Sequence, residues 1–214
     1  MAGHYIIAIG ASAGGVGALT ELTKRLPPGL PASLFVVVHL PASHRSELAE
    51  ILSRSGPLPA YQAFNGQIYE PGQIYVAPPD YHMLIEGGEI HLWRGPKENG
   101  HRPAVNALFR SAAVAHRQHV AGVVLSGTLD DGTTGLWWIK RYGGITVVQD
   151  PEDALFPEMI YSALEHVNVD HILPVAKMGE LMMQLADGAS GRSQGVSQPA
   201  ASKEVNRKWS QRDQ

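Results

Sequence analysis

The chain contains no cysteine. Three kinds of chemistry are therefore excluded: disulfide bonds, catalysis by a thiolate, and zinc sites with cysteine ligands. Any nucleophile or metal ligand must come from another residue type. The absence of cysteine also fits a protein of the reducing cytoplasm, and a cytoplasmic location is our expectation.

An excess of positive charge and long apolar runs are missing as well. The 17 Lys and Arg residues against 20 Asp and Glu residues give a formal net charge of −3, which argues against a dedicated nucleic-acid binder. No apolar run approaches the roughly 20 residues of a membrane span. The N-terminus also lacks the basic and apolar regions of a signal peptide. We therefore expect neither a nucleic-acid partner nor a membrane span.

What the sequence does contain is an alternation of strand and helix patterns. Continuous apolar runs such as 34–38 and 120–125 are typical of strands buried on both faces. The alternation predicts an α/β fold with a doubly wound, mainly parallel sheet, helices on both faces, and a β-hairpin insertion at 83–93. Helices are predicted at 16–26, 43–53, 103–118, 133–142, 157–166 and 177–185, with Pro103 as the first residue of the third.

The domain organisation follows from where this pattern stops. Apolar periodicity is lost after residue 186, and Ser, Gln, Gly, Arg and Ala dominate the rest. The sequence therefore predicts one catalytic-type domain at 1–186 and a disordered polar tail at 187–214.

Ser12 lies at the first turn, between an apolar strand and a helix. Gly10 and Gly14 flank it in a Gly-x-Ser-x-Gly pattern, which is typical of a nucleophile elbow because bulky neighbours would block the hydroxyl. The following helix directs its free N–H groups towards the turn, where they could stabilise an oxyanion. Two other interpretations stay open for this stretch: a phosphate-binding turn and a purely structural one. The dinucleotide-binding pattern does not fit, because Ser12 occupies its second glycine position.

Two further strand ends carry polar residues. His39 follows the apolar run 34–38, and Asp131 follows the run 120–125 after a short loop. Open α/β sheets bind ligands outside the carboxyl ends of their strands. A serine nucleophile needs a base, and a histidine base needs a carboxylate that fixes its tautomer. The sequence therefore places one residue of each kind at one edge of the predicted sheet.

Five stretches that include these residues resemble the catalytic domain of the chemotaxis receptor methylesterase family, CheB. They are Ile-Gly-Ala-Ser-Ala-Gly-Gly at 9–15, Val-His-Leu-Pro at 38–41, Tyr-Val-Ala-Pro-Pro-Asp-Tyr-His-Met at 75–83, His-Arg-Pro-Ala-Val-Asn-Ala-Leu-Phe at 101–109 and Leu-Ser-Gly-Thr-Leu-Asp-Asp-Gly at 125–132. The similarity runs from about residue 4 to residue 185 in the same order.

The resemblance implies a role for each site residue. Ser12 would be the nucleophile, His39 the base and Asp131 the acid that orients it, with the backbone N–H groups of Ala13 and Thr128 as oxyanion donors. No metal and no organic cofactor would be required. The implied substrate is a glutamate methyl ester on the cytoplasmic helices of a methyl-accepting receptor. Deamidation of receptor glutamine by the same residues is one alternative, and a receptor-binding module without activity is another.

The sequence departs from the family pattern in two places. Members usually carry a phosphorylatable receiver domain ahead of this one, but here the first strand starts at about His4. We therefore expect constitutive activity, control by a response regulator or kinase in trans as part of a phosphorelay, or an excised fragment. The loop before the acid usually reads Gly-Met-Gly-Asn-Asp-Gly. Thr128 replaces the methionine, and this change is harmless if position 128 acts only through its backbone N–H. Asp130 adds a carboxylate beside Asp131.

Overall fold

The structure is a computed structural model and describes residues 5–39 and 46–189. Strands and helices alternate as the sequence predicts. In chain order they are β1 (Tyr5–Ala11), α1 (Gly15–Arg25), β2 (Ala32–Val38), α2 (Leu48–Ser55), β3 (Ala60–Gln62), β4 (Gln67–Ile68), β5 (Ile74–Val76), β6 (His82–Glu86), β7 (Glu89–Trp93), α3 (Val105–His116), β8 (Val120–Val124), α4 (Thr133–Arg141), β9 (Ile145–Gln149), α5 (Glu158–His166), β10 (His171–Leu173) and α6 (Val175–Ala189).

Seven of these strands form one sheet in the order β10-β9-β8-β1-β2-β5-β3, and every neighbouring pair is parallel. The other three form a small antiparallel sheet in the order β4-β7-β6. Within it, β6 and β7 are the predicted hairpin, with Gly87 and Gly88 at its turn and both in the left-handed region. The predicted fold class and the hairpin insertion are confirmed.

Two hydrophobic cores cover the two faces of the large sheet. Side chains of α1, α2 and α6 pack on one face, and those of α3, α4 and α5 pack on the other together with the small sheet. Along β1, Ile7 and Ile9 point into the first core while Ile6 and Ala8 point into the second. This is why the central strands are continuous apolar runs: every position is buried on one side or the other.

The sheet changes winding direction at β1. From β1 the chain first crosses to β2 and β5 on one side, and after α3 it returns to β8 on the other side. A crevice forms at such a switch point, outside the carboxyl ends of the two strands that diverge there, and ligands of doubly wound proteins bind in it. Ser12 follows β1 at this point, and Asp131 lies in the loop that follows β8.

The start of α3 differs from the prediction. Pro103 is not its first residue: Ala104 is extended, with φ −115° and ψ 141°, and the helix begins at Val105. Ala104 N–H donates to Nδ1 of the buried His82 at 3.3 Å, a tertiary bond that its position before the helix makes possible. The helix ends at His116, and a 3₁₀ turn continues to His119.

Two other boundaries also differ from the prediction. Of the helix predicted at 43–53, residues 43–45 lie outside the described part, and α2 begins only at Leu48. The last helix, α6, continues to Ala189, three residues beyond the predicted end of the domain. The rest of the predicted tail, 190–214, lies outside the described residues. Among the helices that the structure describes, none combines the length and the apolar character needed to cross a membrane.

Gly179 allows α6 to approach α1 closely. A Cβ atom at this position would lie 2.3 Å from the carbonyl oxygen of Arg25, so Gly179→Ala must separate the two helices. We expect this variant to lower the free energy of unfolding by about 1–3 kcal/mol, the usual cost of overpacking. Urea denaturation followed by circular dichroism measures the change.

Gly17→Ala is the matched control for this variant. Gly17 also lies in a helix, but it is exposed and a Cβ atom there would meet nothing within 4 Å. It should raise the free energy of unfolding, by up to about 1 kcal/mol, through helix propensity alone. Equal effects of the two variants would contradict the close packing of α6 on α1.

Candidate active site

Ser12 occupies the tight turn between β1 and α1. Its N–H donates to the carbonyl oxygen of Ser126 at 3.0 Å, and its own carbonyl oxygen accepts from Gly15 N–H at 2.9 Å. The first bond ties the turn to the end of β8, across the switch point. Ser12 itself is half-buried.

The two glycines that flank Ser12 serve different purposes. A Cβ atom at Gly10 would lie 2.2 Å from Cγ1 of Val105, so this glycine allows the start of α3 to reach β1. Gly14 has φ 72°, a left-handed conformation that favours glycine. A Cβ atom there would also lie 2.8 Å from Oγ of Ser126. One glycine therefore admits a helix, and the other shapes the turn.

His39 lies at the strand end next to Ser12. Ala11 pairs with Val38 in the parallel register, and His39 N–H donates to the Ala11 carbonyl oxygen at 3.3 Å. Ser12 and His39 are the next residues along the two strands. Only 6% of the His39 side chain is exposed. No hydrogen bond joins its ring to the Ser12 hydroxyl in this structure.

Asp131 is the acceptor at the centre of the site. His39 Nε2 donates to its Oδ2 at 2.8 Å, Val105 N–H donates to the same oxygen at 2.7 Å, and Asn106 N–H donates to Oδ1 at 3.1 Å. The two backbone donors are first-turn N–H groups of α3, which have no partner within the helix and carry its positive dipole end. Three donors therefore offset the cost of burying a carboxylate that is 1% exposed.

The bond to Asp131 determines the tautomer of His39. An ionised carboxylate can only accept, so His39 Nε2 carries the hydrogen and Nδ1 of the neutral ring carries a lone pair. His39 Nδ1 is buried and has no hydrogen-bond partner. A buried, unpaired acceptor at this position is available to take a proton from a hydroxyl group brought beside it.

Asn106 fixes the loop that carries Asp131. Its Oδ1 accepts from Gly132 N–H at 3.1 Å and from Gly135 N–H at 2.7 Å. The start of α3 therefore donates to Asp131 and accepts from the residues that follow it. The sequence analysis assigned no role to Asn106. One signal was present: it is a polar residue in the apolar stretch 104–109 of a helix that is buried at this end.

Two N–H groups beside Ser12 are free to bind an oxyanion. Within the described residues, the N–H groups of Ala13 and Thr128 donate to no other group. By contrast, Gly127 N–H is occupied by the carbonyl oxygen of Phe156 at 2.8 Å. A Cβ atom at Gly127 would lie 2.9 Å from Cβ of Ser12, so this loop packs directly against the serine. Free donors are therefore present in the residue after Ser12 and in the loop that packs against it.

His101 contacts the site through the ring of His39. Its ring stacks on that of His39 with centroids 3.6 Å apart and an angle of 1° between the planes. Burial lowers the pKa of His101, and the charge of His39 lowers it further. For His101 and Arg102 before α3, the sequence leaves two interpretations open: a substrate-groove element, which the family resemblance implies, and a surface cap. The stack on His39 is not predicted, because only the folded chain brings the two rings together.

Metal-ligating side chains do not gather in the described ranges: residues 5–39 and 46–189 contain no group of three or more His, Asp or Glu residues that could hold a metal ion.

Comparisons with known proteins agree with this architecture. The family model of the CheB methylesterase matches residues 7–182. A crystal structure of the Thermotoga maritima CheB methylesterase catalytic domain superposes with a TM-score of 0.81 and 32% sequence identity, covering 85% of this chain and 98% of that one.

Two relatives bear names for both ester and amide hydrolysis. One, from Leptospira interrogans, is 36% identical over 183 residues, which are 85% of this chain and 95% of the relative. It is provisionally named protein-glutamate methylesterase/protein-glutamine glutaminase. A Methanosarcina mazei protein, named protein-glutamate methylesterase/protein-glutamine glutaminase 2, is 35% identical over 188 residues, but this chain spans only 51% of its length. From the extent of these matches, this chain is a member of the CheB methylesterase family.

Proposed function

We propose that this chain is a serine hydrolase that removes methyl groups from glutamate methyl esters of receptor proteins, with Ser12, His39 and Asp131 as its catalytic triad. The observation that carries the proposal is the 2.8 Å hydrogen bond between His39 Nε2 and Asp131 Oδ2 at the switch point of the sheet. A buried histidine oriented by a carboxylate, next to a serine in a glycine-flanked turn, is the arrangement that activates a hydroxyl group.

Acylation follows from the protonation states of the site. Ser12 Oγ attacks the ester carbonyl carbon, and its proton passes to Nδ1 of His39. Asp131 stabilises the positive charge that the ring acquires. The N–H groups of Ala13 and Thr128 stabilise the oxyanion of the tetrahedral intermediate. When the intermediate collapses, the ester bond breaks and methanol leaves with the proton from His39.

Deacylation repeats these steps with water as the nucleophile. His39 Nδ1 takes a proton from water, and the resulting hydroxide attacks the acyl group on Ser12. The second tetrahedral intermediate releases glutamate, and the proton returns to Ser12 Oγ. Each step uses only groups of this chain, so no metal or organic cofactor takes part in the proposal.

The substrate class is proposed from the family. The Leptospira and Methanosarcina relatives are named for glutamate methyl esters, and the family for methyl-ester hydrolysis. A methyl-accepting chemotaxis receptor, through its cytoplasmic helices, is the partner that this chemistry requires. A response regulator or kinase acting in trans is the proposed source of control, and the cytoplasm is the proposed location.

Glutamine deamidation is the second candidate function, because the same relatives carry glutaminase in their names. The same three residues would release ammonia from the amide. Incubation with methylated receptor membranes, and separately with receptors that carry glutamine, distinguishes the two reactions by the release of methanol or ammonia. A binding module without activity would release neither, and any turnover that depends on Ser12 eliminates that alternative.

Ser12→Ala and His39→Ala should each lower kcat for methanol release by about 10⁴- to 10⁶-fold, as in other triad hydrolases. The double variant should be scarcely slower than either single variant, because nucleophile and base act as a unit. The measurement is methanol released from methylated receptor membranes under saturating substrate.

Ser53→Ala is the control for the serine variant. Ser53 is an exposed residue of α2, outside the proposed site, and its loss should leave kcat unchanged. Multiplicative losses in the double variant would mean that Ser12 and His39 contribute independently, and the triad would then be the wrong description.

Asp131→Asn should lower kcat by about 10²- to 10⁴-fold, less than the loss of Ser12, since the nucleophile and the oxyanion donors remain. The physical cause is local: the asparagine amide nitrogen cannot accept, so one of the donors that converge on Asp131 faces another donor.

The neighbouring carboxylate provides the matched comparison for Asp131→Asn. Asp130 is exposed, and Asp130→Asn should change kcat by less than about threefold, since a solvated charge contributes little. The same methanol assay serves both variants. A larger loss in Asp130→Asn than in Asp131→Asn would overturn the assignment of the orienting acid.

A further inference from the structure

The ring of His101 lies flat against one face of the His39 ring. The two rings are parallel, 3.6 Å apart between centroids. His39 is held in its own plane by a single hydrogen bond, from Nε2 to Asp131, and its Nδ1 is unpartnered. Rotation of the His39 ring about its bond to Cβ would drive a ring edge into His101. The stacked ring therefore resists the one motion that the hydrogen bond to Asp131 restrains least.

We propose that His101 is a positioning residue that acts through His39: its ring holds the plane of the base and leaves His39 Nδ1 free to take and return a proton. The inference rests on the proposed function, in which His39 is the base. It goes beyond that function because it assigns a role to a residue outside the triad.

The turn that carries His101 is anchored on both sides. Glu98 and His101 exchange two backbone hydrogen bonds, of 3.1 and 2.8 Å, that close the turn. The Glu98 carboxylate accepts two hydrogen bonds from the guanidinium group of Arg110 on α3, at 2.8 and 3.1 Å. On the other side, Arg102 donates to Asp80 through Nε at 2.9 Å. These contacts fix the backbone of His101, and a fixed backbone is what a positioning ring needs.

Arg102 adds a second tie to the same turn. Arg102 also donates to the Gly95 carbonyl oxygen at 2.6 Å, and this bond joins the two ends of the segment 95–102. Its hydrogen bonds hold the pKa of Asp80 below its usual range, with Arg94 as a weaker second donor. The ion pair therefore persists through the pH range in which a histidine titrates.

Burial favours the neutral form of the His101 ring, and the charges around it act in both directions. The groups that face it are His39 after β2, Asp130 and Asp131 after β8, and Lys97 in its own turn. Burial is the largest influence and lowers the pKa of His101; the charges of His39 and Lys97 lower it further, and the two aspartates oppose them. When His39 is protonated during turnover, the neutral His101 ring stacked on it therefore exerts no charge repulsion.

The first test needs no activity. The ring protons of His101 are titrated by NMR in the wild-type chain and in His39→Gln, which keeps a donor for Asp131 but removes the ring and its charge. We expect the pKa of His101 to rise by about 0.3 or more in the variant, since it loses the ring that buries His101 and the positive charge that this ring carries when protonated. An unchanged or lower value would show that the rings are not stacked in solution and would overturn the proposal.

The second test is the pH profile of methanol release in three variants of His101. His101→Phe keeps a flat ring without a charge, and kcat should stay within about threefold of wild type. His101→Ala removes the ring, and kcat should fall by about tenfold or more with little change in KM, since positioning acts on the chemical step. His101→Lys places a cation over His39, and the acid limb of kcat/KM should move to lower pH by about half a unit or more.

His166→Ala is the control, because His166 is an exposed histidine at the end of α5 and should alter neither kcat nor the profile. Thermal unfolding of every variant separates a loss of kcat from a loss of fold. A fully active His101→Ala, a His101→Phe as slow as His101→Ala, or an unmoved profile in His101→Lys would each overturn the proposal. If the wild-type chain releases no methanol or ammonia, the proposed function fails, and the NMR titration still decides whether the rings act on each other.

Discussion

A buried carboxylate needs hydrogen-bond donors around it. The arrangement of this site follows from the donors that Asp131 requires. Two of its three donors are backbone N–H groups at the start of α3, and the third is the ring of His39. Removal of one partner from a buried charge commonly costs about 3–5 kcal/mol. Since whole domains are stable by only about 5–15 kcal/mol, the geometry proposed for catalysis and the stability of the fold are coupled at this residue.

The same requirement explains features some distance from the carboxylate. The start of α3 reaches Asp131 only because Gly10 has no side chain to meet Val105. In return, Asn106 on α3 accepts hydrogen bonds from the loop and helix that follow Asp131. Gly10, two residues before Ser12, therefore serves the proposed acid, Asp131, as much as the proposed nucleophile.

Much of the fold and part of the site were predictable from sequence. An apolar run followed by a polar residue marks a buried strand and its carboxyl end, and this local signal located Ser12, His39 and the loop of Asp131. The start of α3 was predicted wrongly, because proline preference is local whereas the hydrogen bond from Ala104 to His82 is tertiary. The stack of His101 on His39 was missed for a related reason: a ring stack between residues far apart in the chain leaves no periodic trace in the sequence.

The residues of the site also enter the chain in a particular order. His39 and Asp131 are separated by 92 positions, and the helix that supplies the backbone donors lies between them. A ribosome-bound chain that ends before Asp131 contains β1, β2, α3 and His101, but it lacks the carboxylate that binds His39 Nε2. In the proposed mechanism, hydrolytic activity is therefore acquired late in synthesis, once β8 has paired with β1 and the loop after β8 has brought Asp131 to His39. Long-range closure of this kind is slow compared with the formation of local helices.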